Sequence, residues 1–155
     1  MSRRSIAFLP ALALAALTIA APAHAQHDDL LRINRELFHS QMVEGDSLFL
    51  LDHSVPEYLV VGPGGVVEDR RRVIDGLGAF EGIDSLTISR ERVHASDTHV
   101  VITNRLEIHG SVALPIGPIG PLTVATTFIR RDSRWLALSR TSTPCLPAAA
   151  ARGLC

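Results

Sequence analysis

The sequence contains no lysine, so arginine supplies all of its permanently basic side chains. Without a lysine amine the chain cannot form a lysine Schiff base or use a lysine as a catalytic group. A surplus of positive charge is also missing, because the formal net charge is −1. Proteins that bind nucleic acid carry a basic surface as their electrostatic signature. We therefore expect neither lysine chemistry nor a nucleic-acid partner.

Motifs for metals, nucleophiles and phosphates are absent as well. No histidines stand in an HExxH or His-x-His spacing, and His99 and His109 would lie about 30 Å apart on one extended strand, too far to share a metal. No serine stands in a nucleophile elbow. The turn Gly62–Gly65 lacks the Gly-Lys-Ser/Thr ending of a phosphate-binding loop. We expect no metal and no other cofactor.

Residues 1–25 have the layout of a secretory signal peptide. Arg3 and Arg4 form a basic start, Ile6–Ala20 is an apolar run, and Ala23–Ala25 is a small-x-small cleavage site. The apolar run is too short to span a membrane. The alternative is an uncleaved anchor, and the two arginines allow the Tat route beside the favoured Sec route. We expect a periplasmic or secreted protein whose mature form does not span a membrane.

Cysteine is scarce, with only Cys145 and Cys155 present. In an oxidising compartment an even pair favours a disulfide, which would contribute about 2–3 kcal/mol by closing a short loop. The alternative is a frayed tail with two free thiols. We divide the chain into a signal segment at 1–25, one domain at 26–143 and a C-terminal tail at 144–155.

The first half of the mature chain has helical spacing. From Asp28 to Glu44 apolar residues recur three and four positions apart, which predicts one helix that Gly45 ends. Asp46 is placed to cap a second short helix. A strand is predicted at Glu57–Val61, followed by a glycine-rich turn, and Asp69 is placed to cap a third helix.

The second half alternates as β-strands do. Alternation begins at Ser85, and further strands are predicted at His99–His109, Leu122–Arg131 and Arg134–Thr143. The last two form a hairpin around the tight connection Asp132-Ser133. Helices first and a sheet afterwards predict an α+β fold. We expect a cone-shaped α+β barrel, with three N-terminal helices packed on a strongly curved, mostly antiparallel sheet.

A proline-rich link separates two of these strands. Between Gly110 and Pro121 the motif Pro-Ile-Gly-Pro is nearly repeated, and its three prolines forbid a central strand. The segment is apolar for a loop. We interpret it as a lid over a pocket, a contact with a second subunit, or an arm folded on its own domain.

Several blocks of the chain form a recognisable set, namely Leu30-Leu31 with Asp46, Tyr58–Val67, Arg71–Leu77, His99–Thr103 and Phe128–Leu136. Together they resemble the nuclear transport factor 2-like, or SnoaL-like, superfamily, which includes the ketosteroid-isomerase-like fold. More narrowly, the chain resembles a large bacterial branch of that superfamily. Ser133 stands where the hairpin turn of that branch usually has a glycine. The resemblance implies a ligand-sized pocket and frequent homodimers, but this fold hosts many chemistries.

The resemblance also concerns one missing group. Ketosteroid isomerases of this superfamily place a base aspartate directly before the proline of an Asp-Pro-x-Gly turn. By this resemblance the turn is Pro63–Gly65, and Gly62 stands where the base would be. Proton abstraction needs a basic group within hydrogen-bond reach, so this chemistry is disfavoured at that position.

Strand parity yields a candidate ligand site. If odd-numbered residues of the last strands face the helices, and Tyr58 joins from the first strand, the cavity has hydroxyls, one guanidinium and one aromatic wall. The predicted ligand-binding residues are Tyr58, His99, Thr103, Arg105, Thr127, Trp135, Ser139 and Thr141. The even face is more apolar and by binary pattern alone would be the core. We assign it to a homodimer interface, although a one-residue shift would exchange the faces.

Three functions follow. The first is an exported homodimer that binds a small apolar or amphipathic molecule. The second is an isomerase or dehydratase (a lyase) in which Tyr58, His99 and Arg105 converge for proton transfer and oxyanion stabilisation. Arg105 could instead pair with a glutamate, Glu107 or Glu91, on a wet surface. The third is an accessory or structural dimer without a ligand, in which the proline-rich link contacts the partner.

Overall fold

The computed structural model describes residues 23–77, 82–111 and 120–155. Most of the signal segment and of the proline-rich link lies outside the described residues, so what we inferred from these two segments stays a prediction. No helix in the described part is long and apolar enough to cross a membrane.

The first helix ends where the sequence predicts. Helix α1 spans Ala23–His39 and continues as one π-helical turn over Ser40–Glu44. Gly45 follows with φ of 67°, a left-handed conformation that glycine adopts without the clash of a Cβ atom. The helix therefore stops at Gly45 for a local, steric reason.

Two aspartates cap the next helices, as predicted. Helix α2 spans Ser47–His53, and one carboxylate oxygen of Asp46 accepts hydrogen bonds from two backbone N–H groups of its first turn, at 2.9 and 3.3 Å. Helix α3 spans Arg70–Asp75, and the Asp69 carboxylate accepts one such bond at 2.9 Å. These bonds satisfy amide groups that have no partner within the helix.

Within the described residues, six strands form one curled sheet in the order β2-β1-β6-β5-β4-β3. They are β1 Ser54–Val61, β2 Val67–Asp69, β3 Ile83–Ala95, β4 His99–Gly110, β5 Leu122–Arg131 and β6 Arg134–Pro144. Neighbouring strands are antiparallel except β1 and β6, which are parallel. The predicted α+β cone, with helices on a mostly antiparallel sheet, is confirmed. The short strand β2 was not predicted.

The hairpin between β5 and β6 turns on Asp132 and Ser133. Both residues have positive φ, 51° and 65°. Two consecutive left-handed residues are typical of a type I′ turn, whose twist matches that of the flanking strands. Ser133 adopts this conformation although it carries a side chain, so the turn stores some strain.

The even-numbered side of β4 and β5 forms the core under the helices. Val100, Ile102, Leu106, Val124 and Phe128 are all buried. The expectation that odd residues face the helices is therefore wrong for these strands. The physical reason is that the more apolar face leaves water, as the binary pattern alone indicates. That face is covered by the helices and is not available as a dimer interface.

An irregularity in the pairing of β5 with β6 changes the parity within β6. Thr127 pairs with Ser139, but the next residue, Phe128, pairs with Ala137, so β6 contains one extra residue. Ala137 before this bulge and Arg140 after it are both buried. The bulge thus places an arginine on the same side of the sheet as the core.

Candidate functional site

A cleft of about 240 Å³ opens between the helices and the inner face of the sheet. We call it the inner cleft. Its described lining residues are Phe38, Gln41, Met42, Val60, Gly62, Pro63, Glu68, Arg72, Val73, Gly76, Leu77, Leu106, Ile108, Leu122, Arg140 and Ser142. Mostly apolar walls with a few polar groups are typical of small-molecule sites.

Arg140 lies in the inner cleft and is only 3% exposed. Its Nη1 donates a hydrogen bond to Oε1 of Gln41 at 2.5 Å. Its Cζ lies 3.8 Å from the centre of the Phe38 ring, a cation–π contact. Among the described residues it has no carboxylate partner. Burying such a charge without a counter-ion costs on the order of several kcal/mol.

Burial lowers the pKa of the Arg140 guanidinium, because the charged form loses its hydration. Coulombic attraction to the ionised form of the nearby Tyr58 side chain acts in the opposite direction on that pKa. An arginine nevertheless stays protonated in proteins. The inner cleft therefore contains a permanent positive charge.

Polar atoms around Arg140 lack hydrogen-bond partners in the described part of the chain. Among the lining residues they are Nε and Nη2 of Arg140 and Nε2 of Gln41; Oη of Tyr58 and Oγ1 of Thr126 are also without a partner but lie outside the lining. Thr126 is the cross-strand neighbour of Arg140. Each buried polar group without a partner costs about 1–3 kcal/mol, and native proteins contain few of them. Such groups need a partner that the described residues do not supply, and ordered water or a bound molecule can provide it.

The inner cleft also contains the position of the missing base. Gly62 and Pro63 both line it, so the position at which ketosteroid isomerases carry their aspartate faces the cleft here without a side chain. Glu68 is the one carboxylate among the described lining residues. No group of three or more histidine, cysteine, aspartate or glutamate side chains within the described residues is placed to hold a metal ion.

Two of the predicted ligand-binding residues lie on the helix side of the sheet. Tyr58 is fully buried within the core. Trp135 is half-buried and borders a separate, shallow depression with Leu30 and Ile33 of α1. Neither residue lines the inner cleft.

The other predicted residues do not face the helices. Five of them lie on the outer face of the sheet, because the residues next to them along the strands, or next to their cross-strand partners, are buried on the inner face. These five are Thr103, Arg105, Thr127, Ser139 and Thr141. The odd-face assignment is wrong for all five, for the reason given above. As ligand-binding residues they are corrected to residues of the outer surface.

The proposed convergence of Tyr58, His99 and Arg105 is also wrong. His99 is exposed at the start of β4, where its Nδ1 lies 2.7 Å from Oγ1 of Thr98. Arg105 donates a hydrogen bond from Nε to the Glu107 carboxylate at 2.8 Å on the outer face. Tyr58 is on the opposite side of the sheet, so these three side chains share no cavity.

The C-terminal tail lies against the outer face. Cys145 and Cys155 are joined by a disulfide, and a short helix α4, Pro147–Ala150, lies between them. Arg90 and Arg105 donate hydrogen bonds to the backbone carbonyl of Cys155. The groove beside the tail, about 320 Å³, is lined mainly by arginine and other polar residues. The inner cleft, with its apolar walls, is the better candidate for a small-molecule site.

Sequence reasoning missed Arg140 and Gln41. The alternation along β6 gave no valid signal for Arg140, because the bulge puts the even residue Leu136 on the outer face and the even residue Arg140 on the inner face. Gln41 had no signal either, because one glutamine in a helix is ordinary.

The sequence matches no family model and no curated protein. Solved structures do match. A nuclear transport factor 2-like protein from Cytophaga hutchinsonii is 16% identical with a TM-score of 0.67, over 77% of this chain and 98% of that one. One of unknown function in nutrient uptake from Rhodospirillum rubrum is 18% identical with a TM-score of 0.65, over 77% and 100%.

A third match is a proposed dehydratase of the same family from Streptomyces avermitilis, 16% identical with a TM-score of 0.64, over 81% of this chain and 99% of that one. Identities this low carry information about architecture and not about chemistry. In each case nearly the whole of the solved structure is covered by helices and strands in the same arrangement. The chain therefore has the nuclear transport factor 2-like fold.

Proposed function

We propose that this protein binds a small molecule in the inner cleft. The observation that carries the proposal is that Nε and Nη2 of Arg140 and Nε2 of Gln41 have no partner among the described residues, in a cleft whose walls are mostly apolar. Polar groups that have lost water and gained no partner destabilise the free protein. A ligand that supplies the missing hydrogen bonds would remove that penalty, whereas a purely structural core would be expected to avoid it.

The size of the cleft limits the ligand. A volume of about 240 Å³ limits the buried part of the ligand to on the order of ten non-hydrogen atoms. Lining residues such as Met42, Val73 and Leu106 offer apolar surface to most of them. The ligand is therefore a small molecule with an apolar body, in keeping with the apolar or amphipathic partner expected from the sequence.

Binding can be tested by calorimetric titration of the protein with short lipophilic acids, amides, alcohols and amines. Val73→Phe fills the cleft from α3, and Val101→Phe adds the same volume on the outer face, where it serves as a matched control. We expect Val73→Phe to remove binding and Val101→Phe to keep it. No binding tighter than about 10 mM for any compound would refute the proposal.

A second candidate function is proton transfer, as in an isomerase or a dehydratase. The specific observation in its favour is the Glu68 carboxylate among the lining residues. The test is exchange of the α-hydrogens of a small cyclic ketone in deuterated water, followed by NMR, with Glu68→Gln as the matched variant. Exchange at the same rate with both proteins would rule out this role for Glu68.

Export and dimerisation stay proposals with their own tests. The signal-peptide pattern supports a periplasmic or secreted protein, which cell fractionation would check. A homodimer formed through the sheet would have to use the outer face, since the inner face is covered by helices. Light scattering of the purified protein would measure the mass, and Val101→Glu should weaken such a dimer. A monomer at high concentration would remove the dimer proposal.

A further inference from the structure

The hydrogen-bonding groups that Arg140 and Gln41 leave without a partner among the described residues are all donors. Guanidinium nitrogens cannot accept hydrogen bonds, so Gln41 must turn its carbonyl oxygen to Arg140, and this leaves its Nε2 as a donor. Nε and Nη2 of Arg140 and Nε2 of Gln41 then have no partner among the described residues. The chemical complement of several donors and one positive charge is a group that only accepts and is negatively charged.

We infer that the ligand of the inner cleft is an organic acid, whose carboxylate binds Arg140 and Gln41 and whose apolar body lies along the cleft walls. This inference rests on the proposed function and specifies its ligand class. An ionised carboxylate has acceptor sites only, and arginine binds it through parallel N–H groups. The Phe38 ring covers a face of the guanidinium, and two of the donors at its edge have no partner among the described residues.

Other charges in the cleft do not cancel that of Arg140. Glu68 and Arg72 are the remaining ionisable side chains among the described lining residues, one of each sign. Both are more exposed than Arg140, because they lie on β2 and α3 beside the solvent. Water screens charges at exposed positions more than buried ones. The positive charge at the buried end therefore dominates the choice of head group.

Two ligands of the same shape, one charged and one neutral, measure how much the charge of Arg140 contributes to binding. Octanoate and octanamide have the same chain and differ in the head group, and calorimetry of the full chain measures both affinities. Charge-assisted hydrogen bonds are about twice as strong as neutral ones. We expect octanoate to bind about tenfold more tightly than octanamide. In the Arg140→Gln variant this preference should disappear.

Gly62 provides a test that leaves Arg140 in place. It lines the cleft two residues after Val60, which pairs with Arg140 across the parallel strands. A Cβ atom there would meet nothing nearer than the Val66 carbonyl oxygen at 3.7 Å, an ordinary contact. Gly62→Asp adds an internal carboxylate that competes with the ligand for Arg140, and Gly62→Asn is the matched neutral control.

We expect Gly62→Asp to weaken octanoate binding at least about tenfold relative to Gly62→Asn, with octanamide nearly unchanged. Equal binding of octanoate and octanamide by the native protein would overturn the organic-acid inference and leave the small-molecule function standing. The inference would also be overturned if the Arg140→Gln and Gly62→Asp variants both kept the preference for octanoate over octanamide. If neither compound nor any other probe binds, the proposed function fails and the inference fails with it.

Discussion

Replacing Arg140 by methionine together with Gln41 by leucine should stabilise the ligand-free protein. Arg140 is 3% exposed and has no carboxylate partner among the described residues. The lost hydration of its guanidinium therefore costs about 5 kcal/mol. Two contacts offset part of that cost. The charged hydrogen bond to Gln41 contributes about 1.5–3 kcal/mol and the contact with Phe38 about 1–2 kcal/mol. Methionine keeps most of the side-chain volume and removes the charge.

For Arg140→Met alone we expect the free energy of unfolding to change by no more than about 1 kcal/mol, because the gain is offset by the amide oxygen of Gln41 that loses its donor. Arg140→Met combined with Gln41→Leu also removes the amide that would be left without its donor, and should raise the free energy of unfolding by about 1–4 kcal/mol. Urea denaturation followed by circular dichroism measures these values. For a domain of this size about 1 kcal/mol corresponds to roughly 2–4 °C in Tm.

Arg92→Met is the matched control, because Arg92 is exposed on the outer face. A substitution there should change stability by no more than about 0.5 kcal/mol. A loss of about 3 kcal/mol or more in Arg140→Met would refute the reasoning. That loss is expected when one partner of a satisfied buried pair is removed, and it would make Arg140 a structural residue.

Three local features lead to further predictions, all measured by urea denaturation. Ser133→Gly relieves the strain of a left-handed residue and should add about 1 kcal/mol to the free energy of unfolding. Ser133→Ala should add none, and equal effects of the two variants would contradict the turn geometry. Asp46→Ala removes a helix cap and should cost about 1 kcal/mol, while Asp46→Asn should be nearly neutral; no loss in the alanine variant would mean that the cap contributes nothing. Reducing the Cys145–Cys155 disulfide should lower the free energy of unfolding by up to about 3 kcal/mol through loop entropy, and should make the tail sensitive to protease. A tail that is equally resistant before and after reduction would show that other contacts hold it.

Features that depend on neighbours in sequence were predictable. The end of the first helix at Gly45, the caps at Asp46 and Asp69 and the hairpin at Asp132 and Ser133 all follow from contacts within a few residues. Each is decided by side-chain chemistry and backbone sterics that are the same in any fold. Together with the order of helices before strands, these features were sufficient to predict the α+β architecture.

The site was far less predictable. Side chains alternate along a strand with a period of two, so the sequence groups residues into faces without telling which face meets the helices. The hydrophobic content favoured the even face, and the resemblance to ligand-binding proteins led us to choose the polar odd face instead. Tyr58 and Trp135 remained on the helix side, and the other predicted residues lie elsewhere.

By itself the sequence determined the helices, the strands, their caps and turns, and the class of fold, because these depend on short-range interactions. Only the tertiary structure decided where the functional groups lie. The bulge in β6 places Arg140 on the inner face, and the packing of α1 on that face brings Gln41 and Phe38 to it. These contacts join residues far apart in the chain, and no local pattern specifies them.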